Sequence, residues 1–572
     1  MGRPRIVIVG AGFAGYHAAR TLCRMSRGKA EVTLLNPTDY FLYLPLLPQV
    51  AAGILEPRRV TVSLTGTLPG ARLVLGEADH VDMDARTVRY TGPEGAGGTL
   101  EYDRLVLAVG SVNKLLPVPG VAEHAHGFRG LPEALYLRDH VTRQLELASA
   151  DEDPDSRAAR STFVVVGAGY TGTEVAAHGK MYTDAQTRRR PLPGGVRPRW
   201  LLLDVAPRVL PELDERLSRT ADRVLRARGV DVRMGTSVRE ATHEGVLLTD
   251  GAFVPTRTLV WCVGVRPDPL VESTGQPLER GRLVVDPCLQ VPGRPEVFAC
   301  GDAAAVPDLD NPGEYTPMTA QHAWRQGRTA AVNVAASLGV RARQVYRHRD
   351  LGFVVDLGGA QAAADPLGVP LSGPLAGAVT RGYHLAAMPG NRVRVAADWL
   401  LGAVLPRQAV QLGLVRSWSV PLDTASPELA RVAGGPEGAD AAAGAGGRGT
   451  GGSGVPEGET ITDIIDNTEK AQLAGAEPAP RRPGPGTEAG AGRGRAGPSS
   501  PAGGRRSGGP PEAAGNGPGG NGPGGNGPGG PSGAGDGAVR PARPQPAEPH
   551  PTGPHPAPGP VKRDDIPTEG DT

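Results

Sequence analysis

Two stretches decide the fold: Ile6-Val7-Ile8-Val9-Gly10-Ala11-Gly12-Phe13-Ala14-Gly15 and Phe163-Val164-Val165-Val166-Gly167-Ala168-Gly169-Tyr170-Thr171-Gly172. Each is an apolar run of strand length that breaks into Gly-x-Gly-x-x-Gly and then continues with helical periodicity. In such a loop the first glycine allows the tight turn, the second lets the backbone approach a pyrophosphate, and the third lets helix and strand pack closely. The helix N-terminus then faces the phosphates. One such loop is a weak signal. Two in the same strand–turn–helix context predict two dinucleotides held in one chain, the arrangement needed to pass a hydride between cofactors.

The second strand of each unit sharpens the reading. After the second loop, Trp200-Leu201-Leu202-Leu203 ends on Asp204, an acid that favours a ribose 2′-hydroxyl and repels a 2′-phosphate, so NADH is expected over NADPH. After the first loop, Val32-Thr33-Leu34-Leu35 ends on Asn36 instead, which still accepts a hydrogen bond. Arg104-Leu105-Val106-Leu107-Ala108-Val109-Gly110 and Thr258-Leu259-Val260-Trp261-Cys262-Val263-Gly264 read as later strands that end in tight turns at Gly110 and Gly264. Leu217 to Arg228 reads as an amphipathic helix, and Arg188 to Arg199 as an exposed basic loop. Val297-Phe298-Ala299-Cys300 runs into Gly301-Asp302. One unit resuming after another implies that the second is inserted in the first.

Composition bounds the rest. Of 572 residues, those from about Leu422 onward are rich in Gly, Pro, Ala and Ser and carry Asn-Gly-Pro-Gly-Gly three times in tandem from Asn516 to Gly530. Such a stretch cannot bury enough apolar surface to offset its ordering entropy, so a disordered tail is expected, with one mildly helical patch at Ile461 to Leu473. A net charge of +1 gives no case for nucleic acid. Cys23, Cys262, Cys288 and Cys300 are scattered without metal-ligand or redox-pair spacing, so no metal is expected and a reducing cytoplasm fits. The chain begins at once with a strand, so no signal peptide is expected, and no apolar run approaches the ~20 residues that span a bilayer.

The order of motifs over about residues 4–415 resembles the flavoproteins with two dinucleotide-binding domains. Three stretches within it resemble the type II NADH dehydrogenases, the non-proton-pumping NADH:quinone oxidoreductases: Phe41 to Ala51, Thr319-Ala320-Gln321-His322-Ala323-Trp324-Arg325-Gln326-Gly327, and Tyr383-His384-Leu385 to Trp399. The resemblance implies an α/β fold of two Rossmann-like domains, with an FAD-binding domain (1–155 and 281–345), an inserted NADH-binding domain (156–280), a C-terminal quinone and membrane-contact region (346–421) and the tail (422–572). It implies FAD on Gly10, Gly12, Gly15, Asn36, Gly110, Gly301, Asp302, Ala320 and Gln321. NADH is expected on Gly167, Gly169, Gly172, Glu174, Asp204 and Gly264, and a quinone at Gln321 and Gln326. Glu174 and Gln321 are the catalytic candidates, Glu174 positioning the nicotinamide or supporting proton delivery.

Thr319 is placed to cap a helix beginning near Ala320, whose N-terminus would steady negative charge on a flavin. For Glu174 a first-turn acid that favours the helix dipole is the alternative, and for both glutamines an ordinary polar helix surface. A quinone substrate requires contact with a membrane. Trp399-Leu400-Leu401-Gly402-Ala403-Val404-Leu405, flanked by Arg392, Arg394 and Arg407, suits either an interfacial helix within 381–415, on the cytoplasmic face of the membrane, or a helix packed into the core. A homodimer stays open. So do two other functions, a soluble NAD(P)H:acceptor reductase serving a ferredoxin-type partner and a low-turnover FAD-binding redox sensor.

Overall fold

The computed structural model describes residues 2–348, 350–405 and 408–422. Pro406, Arg407 and the expected tail, with the Ile461 to Leu473 patch, lie outside the described residues, except that Leu422 is buried in the folded part.

In chain order the elements that matter are β1 (Arg5–Val9), α1 (Phe13–Ser26), β2 (Glu31–Asn36), α2 (Leu47–Ala51), β3 (Ala71–Leu75), β4 (Arg104–Leu107), β5 (Ala125–His126), α3 (Leu131–Ala150), β6 (Thr162–Val166), α4 (Tyr170–Arg189), β7 (Arg199–Asp204), α5 (Glu215–Ala227), β8 (Val230–Met234), β9 (Leu259–Trp261), β10 (Gln290–Val291), β11 (Arg294–Ala299), α6 (Ala320–Ser337), β12 (Val354–Asp356), β13 (Ala362–Ala364), β14 (Leu371–Ser372), α7 (Gly373–Ala387) and α8 (Arg392–Val404).

Two sheets organise them. The first has the order β10-β11-β4-β1-β2-β3, parallel except for the antiparallel edge pair β10–β11. The second has the order β5-β9-β6-β7-β8 and is parallel throughout. The first is assembled from segments that precede and follow every strand of the second. The central strands read as unbroken apolar runs because both faces are covered: Ile6 to Val9 and Phe163 to Val166 are almost wholly buried.

Helix α6 lies against α1 under the first sheet. The approach is close enough that a Cβ at Gly327 would stand 2.0 Å from the carbonyl oxygen of Ala14, so only glycine fits there. The exposed loop expected over Arg188 to Arg199 is corrected at its start, since α4 continues through Arg189 on helix-favouring Gln and Arg residues. After α6 the chain forms the antiparallel set β12-β13-β14, then α7 and α8.

Candidate functional site

The two glycine loops are near copies. Gly10 and Gly167 adopt positive φ (91° and 104°) and donate to the carbonyls of Leu35 and Leu203 at 2.8 and 2.7 Å. A Cβ at Gly10 would meet the Ala108 carbonyl oxygen at 2.5 Å, and one at Gly167 the Cys262 oxygen at 2.1 Å. At Gly15 and Gly172 a Cβ would stand 1.8 and 1.9 Å from the oxygens of Gly10 and Gly167. At Gly12 and Gly169 the space is open, with no atom within 4 Å of a Cβ position. Neither residue has a side chain to cap the helix it starts, so the first N–H groups of α1 and α4 face that space. This is the shape and polarity of a pyrophosphate cradle, formed twice. Gly110 and Gly264, also at positive φ (78° and 101°), have nothing within 4 Å of a Cβ position either.

The residues that end β2 and β7 lock the loops from below. Asn36 Oδ1 accepts the Ala11 N–H at 2.8 Å, and Asp204 Oδ2 accepts the Ala168 N–H at 2.6 Å. Their second functions differ. The Asn36 amide donates to the Thr38 carbonyl (2.9 Å) and hydroxyl (3.1 Å), whereas Asp204 Oδ1 accepts the Ala206 N–H (2.8 Å) and keeps unused lone pairs.

Gly301 and Asp302 sit at the end of β11. Asp302 Oδ2 accepts the Ser111 hydroxyl at 2.8 Å, and loss of solvation raises its carboxyl against the opposing pull of that hydroxyl and of Arg282. Gln326 is buried among protein partners. Its Oε1 accepts the Gly301 N–H (2.8 Å) and its Nε2 donates to the Thr316 hydroxyl (2.9 Å), so both ends of a buried amide are used. The expected quinone contact at Gln326 is therefore corrected: it is a strut that holds Gly301. Thr319 caps α6 and accepts the His322 N–H, as its position suggested. Ala320 begins that helix. The Gln321 amide turns toward residues 350–352, donating to Asp350 Oδ1 and accepting the Leu351 N–H at 3.1 Å.

The stretch from Asp350 to Gly358 also reaches the second unit. Phe353 stacks on Tyr170 at the start of α4, with centroids 5.2 Å apart and planes at 19°. The Asp356 N–H donates to Glu174 Oε1 at 2.7 Å, and the Gly358 carbonyl accepts from Arg228 at 2.6 Å. Desolvation, then the charge of Asp356, pushes the Glu174 carboxyl well above the ordinary range. The Asp356 carboxylate is met by the Gln49 amide (2.8 Å), whose own oxygen accepts the Trp399 indole N–H (2.6 Å). Sequence reasoning missed Asp356 and the role of Gln49. No local pattern marks a contact between residues 182 positions apart.

Helix α8 is packed on one side, where Val395 is fully buried in the core and Trp399 lies against it, and open on the other: Leu400, Leu401 and Val404 are 68%, 53% and 76% exposed, and Leu405 just beyond it is exposed too. Trp399, expected at the outer face, points inward to Gln49 and lies beneath the Arg381 guanidinium. Among the described residues no helix is long and apolar enough to cross a membrane, and no three His, Cys, Asp or Glu side chains form a metal-binding group.

Residues 4–327 match the family model of the pyridine nucleotide-disulphide oxidoreductases. A type II NADH:quinone oxidoreductase of Mycobacterium tuberculosis is 32% identical over 424 residues, which cover 70% of this chain and 87% of that protein. The chain belongs to the type II NADH:quinone oxidoreductases. As a member of that family it is an oxidoreductase that couples NADH to a quinone and uses a flavin-type cofactor. A demethylphylloquinone reductase of Synechocystis is 29% identical over 70% of this chain and 96% of its own length. The fold is shared with a Plasmodium falciparum type II enzyme solved with NADH, at a TM-score of 0.65 and 18% identity over 72% of this chain and all of that one.

Proposed function

We propose that this type II enzyme holds FAD at the first cradle and NADH at the second, and reduces a membrane quinone without pumping protons. The observation that carries this reading is the duplicated cradle: two loops with the same steric demands, each open at its middle glycine. Gly10, Gly12, Gly15 and Gly110 would take the FAD pyrophosphate side, with Asn36 behind them. Gly301 and Asp302 would hold the ribityl chain, and the α6 N-terminus at Ala320 and Gln321 would lie toward the flavin. Gly167, Gly169, Gly172, Asp204 and Gly264 would take NADH. When bound, FAD supplies the hydride acceptor and the two-electron store.

What the protein residues contribute is approach, orientation and a proton. Glu174 would carry that proton on the quinone side, because its surroundings favour the neutral acid. Gln321 would act on the quinone side through the 350–352 segment that it anchors. The exposed apolar face of α8 and of Val410, Leu412 and Leu414 would rest on the cytoplasmic face of the membrane, where lipid-soluble quinones are reached.

Purified full-length protein is expected to be yellow, to release FAD on denaturation, and to oxidise NADH with a soluble quinone faster than NADPH. A colourless protein that binds no flavin would sink this reading, and rapid turnover only with a ferredoxin-type protein would replace the quinone. Changing Leu400, Leu401 and Leu405 to Glu should move flavin-loaded enzyme from the membrane fraction to the soluble one.

A further inference from the structure

Glu174 has a close companion that the glycine fingerprints do not announce. Asp356, at the end of β12, is buried, and its backbone N–H is the donor that Glu174 Oε1 accepts at 2.7 Å. The Asp356 side chain is itself held on both oxygens. The Gly358 N–H meets Oδ1 at 2.8 Å, and the Gln49 amide meets Oδ2 at 2.8 Å. Gln49 cannot rotate its amide freely, because the Trp399 indole donates to its oxygen at 2.6 Å. Trp399 belongs to the helix whose opposite face is exposed and apolar, so the chain of contacts runs from that helix to the acid on α4.

Other charged or titratable groups surround the pair. On α4, His178 places Nε2 3.7 Å from Asp356 Oδ2. At the end of α5, Arg228 bonds the Gly358 carbonyl and adds positive charge near Asp356. On α7, His384 pairs with the Tyr43 hydroxyl at 3.2 Å, and burial lowers its imidazole to about 4. Two carboxyl groups that share a poorly solvated site do not both ionise easily. The Gln49 and Gly358 donors converge on the Asp356 carboxylate, while Glu174 accepts a single main-chain N–H from it.

The geometry points to Asp356 as the positioning residue of the proton-carrying acid: its N–H fixes where the Glu174 carboxyl points, and its carboxylate keeps a proton on Glu174 until the quinone draws it. This rests on the reading of Glu174 as the proton source. Over a turnover NADH, one proton and quinone become NAD⁺ and quinol. The Glu174 O–H bond breaks, the proton passes to a quinone oxygen, and water restores it to the carboxylate.

The test follows the carbonyl stretch of protonated carboxyl groups by infrared spectroscopy, on full-length, flavin-loaded protein, as pH is varied. The Glu174 band is assigned by its loss in Glu174→Gln. Asp356→Asn should lower the pH at which that band disappears by at least about one unit, since the neighbouring negative charge is gone. Asp356→Glu, which keeps the charge, should stay nearer the wild type. The pH above which quinol formation declines should move in the same direction as the band. A band that titrates identically in wild type and Asp356→Asn would overturn the proposal. Should Asp356→Asn not fold, Gln49→Leu serves: it keeps both acids but removes the amide that holds the Asp356 carboxylate in place, so the Glu174 midpoint should fall by a smaller amount, and an unmoved midpoint overturns the idea equally. If wild type and Glu174→Gln have the same spectrum at every pH, it is the reading of Glu174 that fails.

Discussion

The two glycine loops share a backbone, and the residues that lock them from below differ in one side-chain atom. Asn36 and Asp204 each place an oxygen on the second N–H of their loop, at 2.8 and 2.6 Å. Locking the loop therefore needs only an acceptor, and an amide does it as well as a carboxylate. The charge on Asp204 is surplus to that task, and in the proposed function it is this surplus that would read a ribose hydroxyl and exclude a 2′-phosphate. Asn36 uses its other half to tie down Thr38, which fits a cofactor kept in place rather than exchanged at each turnover.

The strongest way to break the comparison is at the third glycines. Valine at Gly15 or Gly172 drives Cβ into a backbone carbonyl at under 2 Å, which no side-chain movement relieves. Gly15→Val should yield colourless protein. Gly172→Val should stay yellow and lose NADH oxidation by about 100-fold or more, equivalent to about 2.7 kcal/mol. If both lose flavin, the two units do not behave independently.

A smaller effect tests the strut. Gln326→Leu leaves the Gly301 N–H without its acceptor, at a cost of about 1–3 kcal/mol. Flavin retention and thermal stability should fall together while the KM for quinone is unchanged, and a selective rise in that KM would restore Gln326 to the quinone side. The swap of loop locks should cost less. Asp204→Asn keeps an acceptor for Ala168 and should raise the NADPH:NADH ratio of kcat/KM about tenfold. Asn36→Asp faces the Thr38 carbonyl with a carboxylate oxygen and should lower the melting temperature without changing the preference between nicotinamide cofactors.

The smallest effect is in acid. Burial holds His126 and His140, in the second unit, at about 4 and 3, and His17 on α1 at about 3, all below the usual 6.5. A depressed histidine leaves the unfolded chain the better proton binder, so its stabilising contribution is complete above pH 6.5 and lost as pH falls from there toward the folded value. From pH 7 to 6 the second unit should lose about 1.4 kcal/mol and the first about 0.7, read as earlier loss of hydrogen-exchange protection in the second. Equal losses would mean that other groups dominate.

Much of this was legible because it is local. The fingerprints, the strands feeding them, Asp204 and Gly301-Asp302 stand out as short patterns of adjacent residues, although the bonds that Asp204 and Asp302 make, to Ala168 and Ser111, are not local. Gln326 was misread because its partner, the Gly301 N–H, is 25 residues away and belongs to another element. Trp399 looked like an interfacial aromatic because helical periodicity gives a face but not its neighbour, and the neighbour is Gln49. The stretch from Asp350 to Gly358 has no periodicity of its own to notice. Its contacts exist only once α2, α4, α6 and the end of α5 are assembled around it.

That stretch has a consequence for how such proteins can diverge in length. Asp350, Phe353 and Asp356 meet Gln321, Tyr170 and Glu174 at intervals of three residues, like teeth cut for three separate wards. Adding or deleting one residue in an extended segment shifts everything beyond it by about 3.3 Å and turns alternate side chains to the opposite face. An insertion between Asp350 and Asp356 would thus misalign at least one of the three, whereas the exposed turn after α6 at Val340 to Arg343 can absorb length without touching any of them. Relatives should differ in length on that outer turn and keep the count of the inner segment fixed.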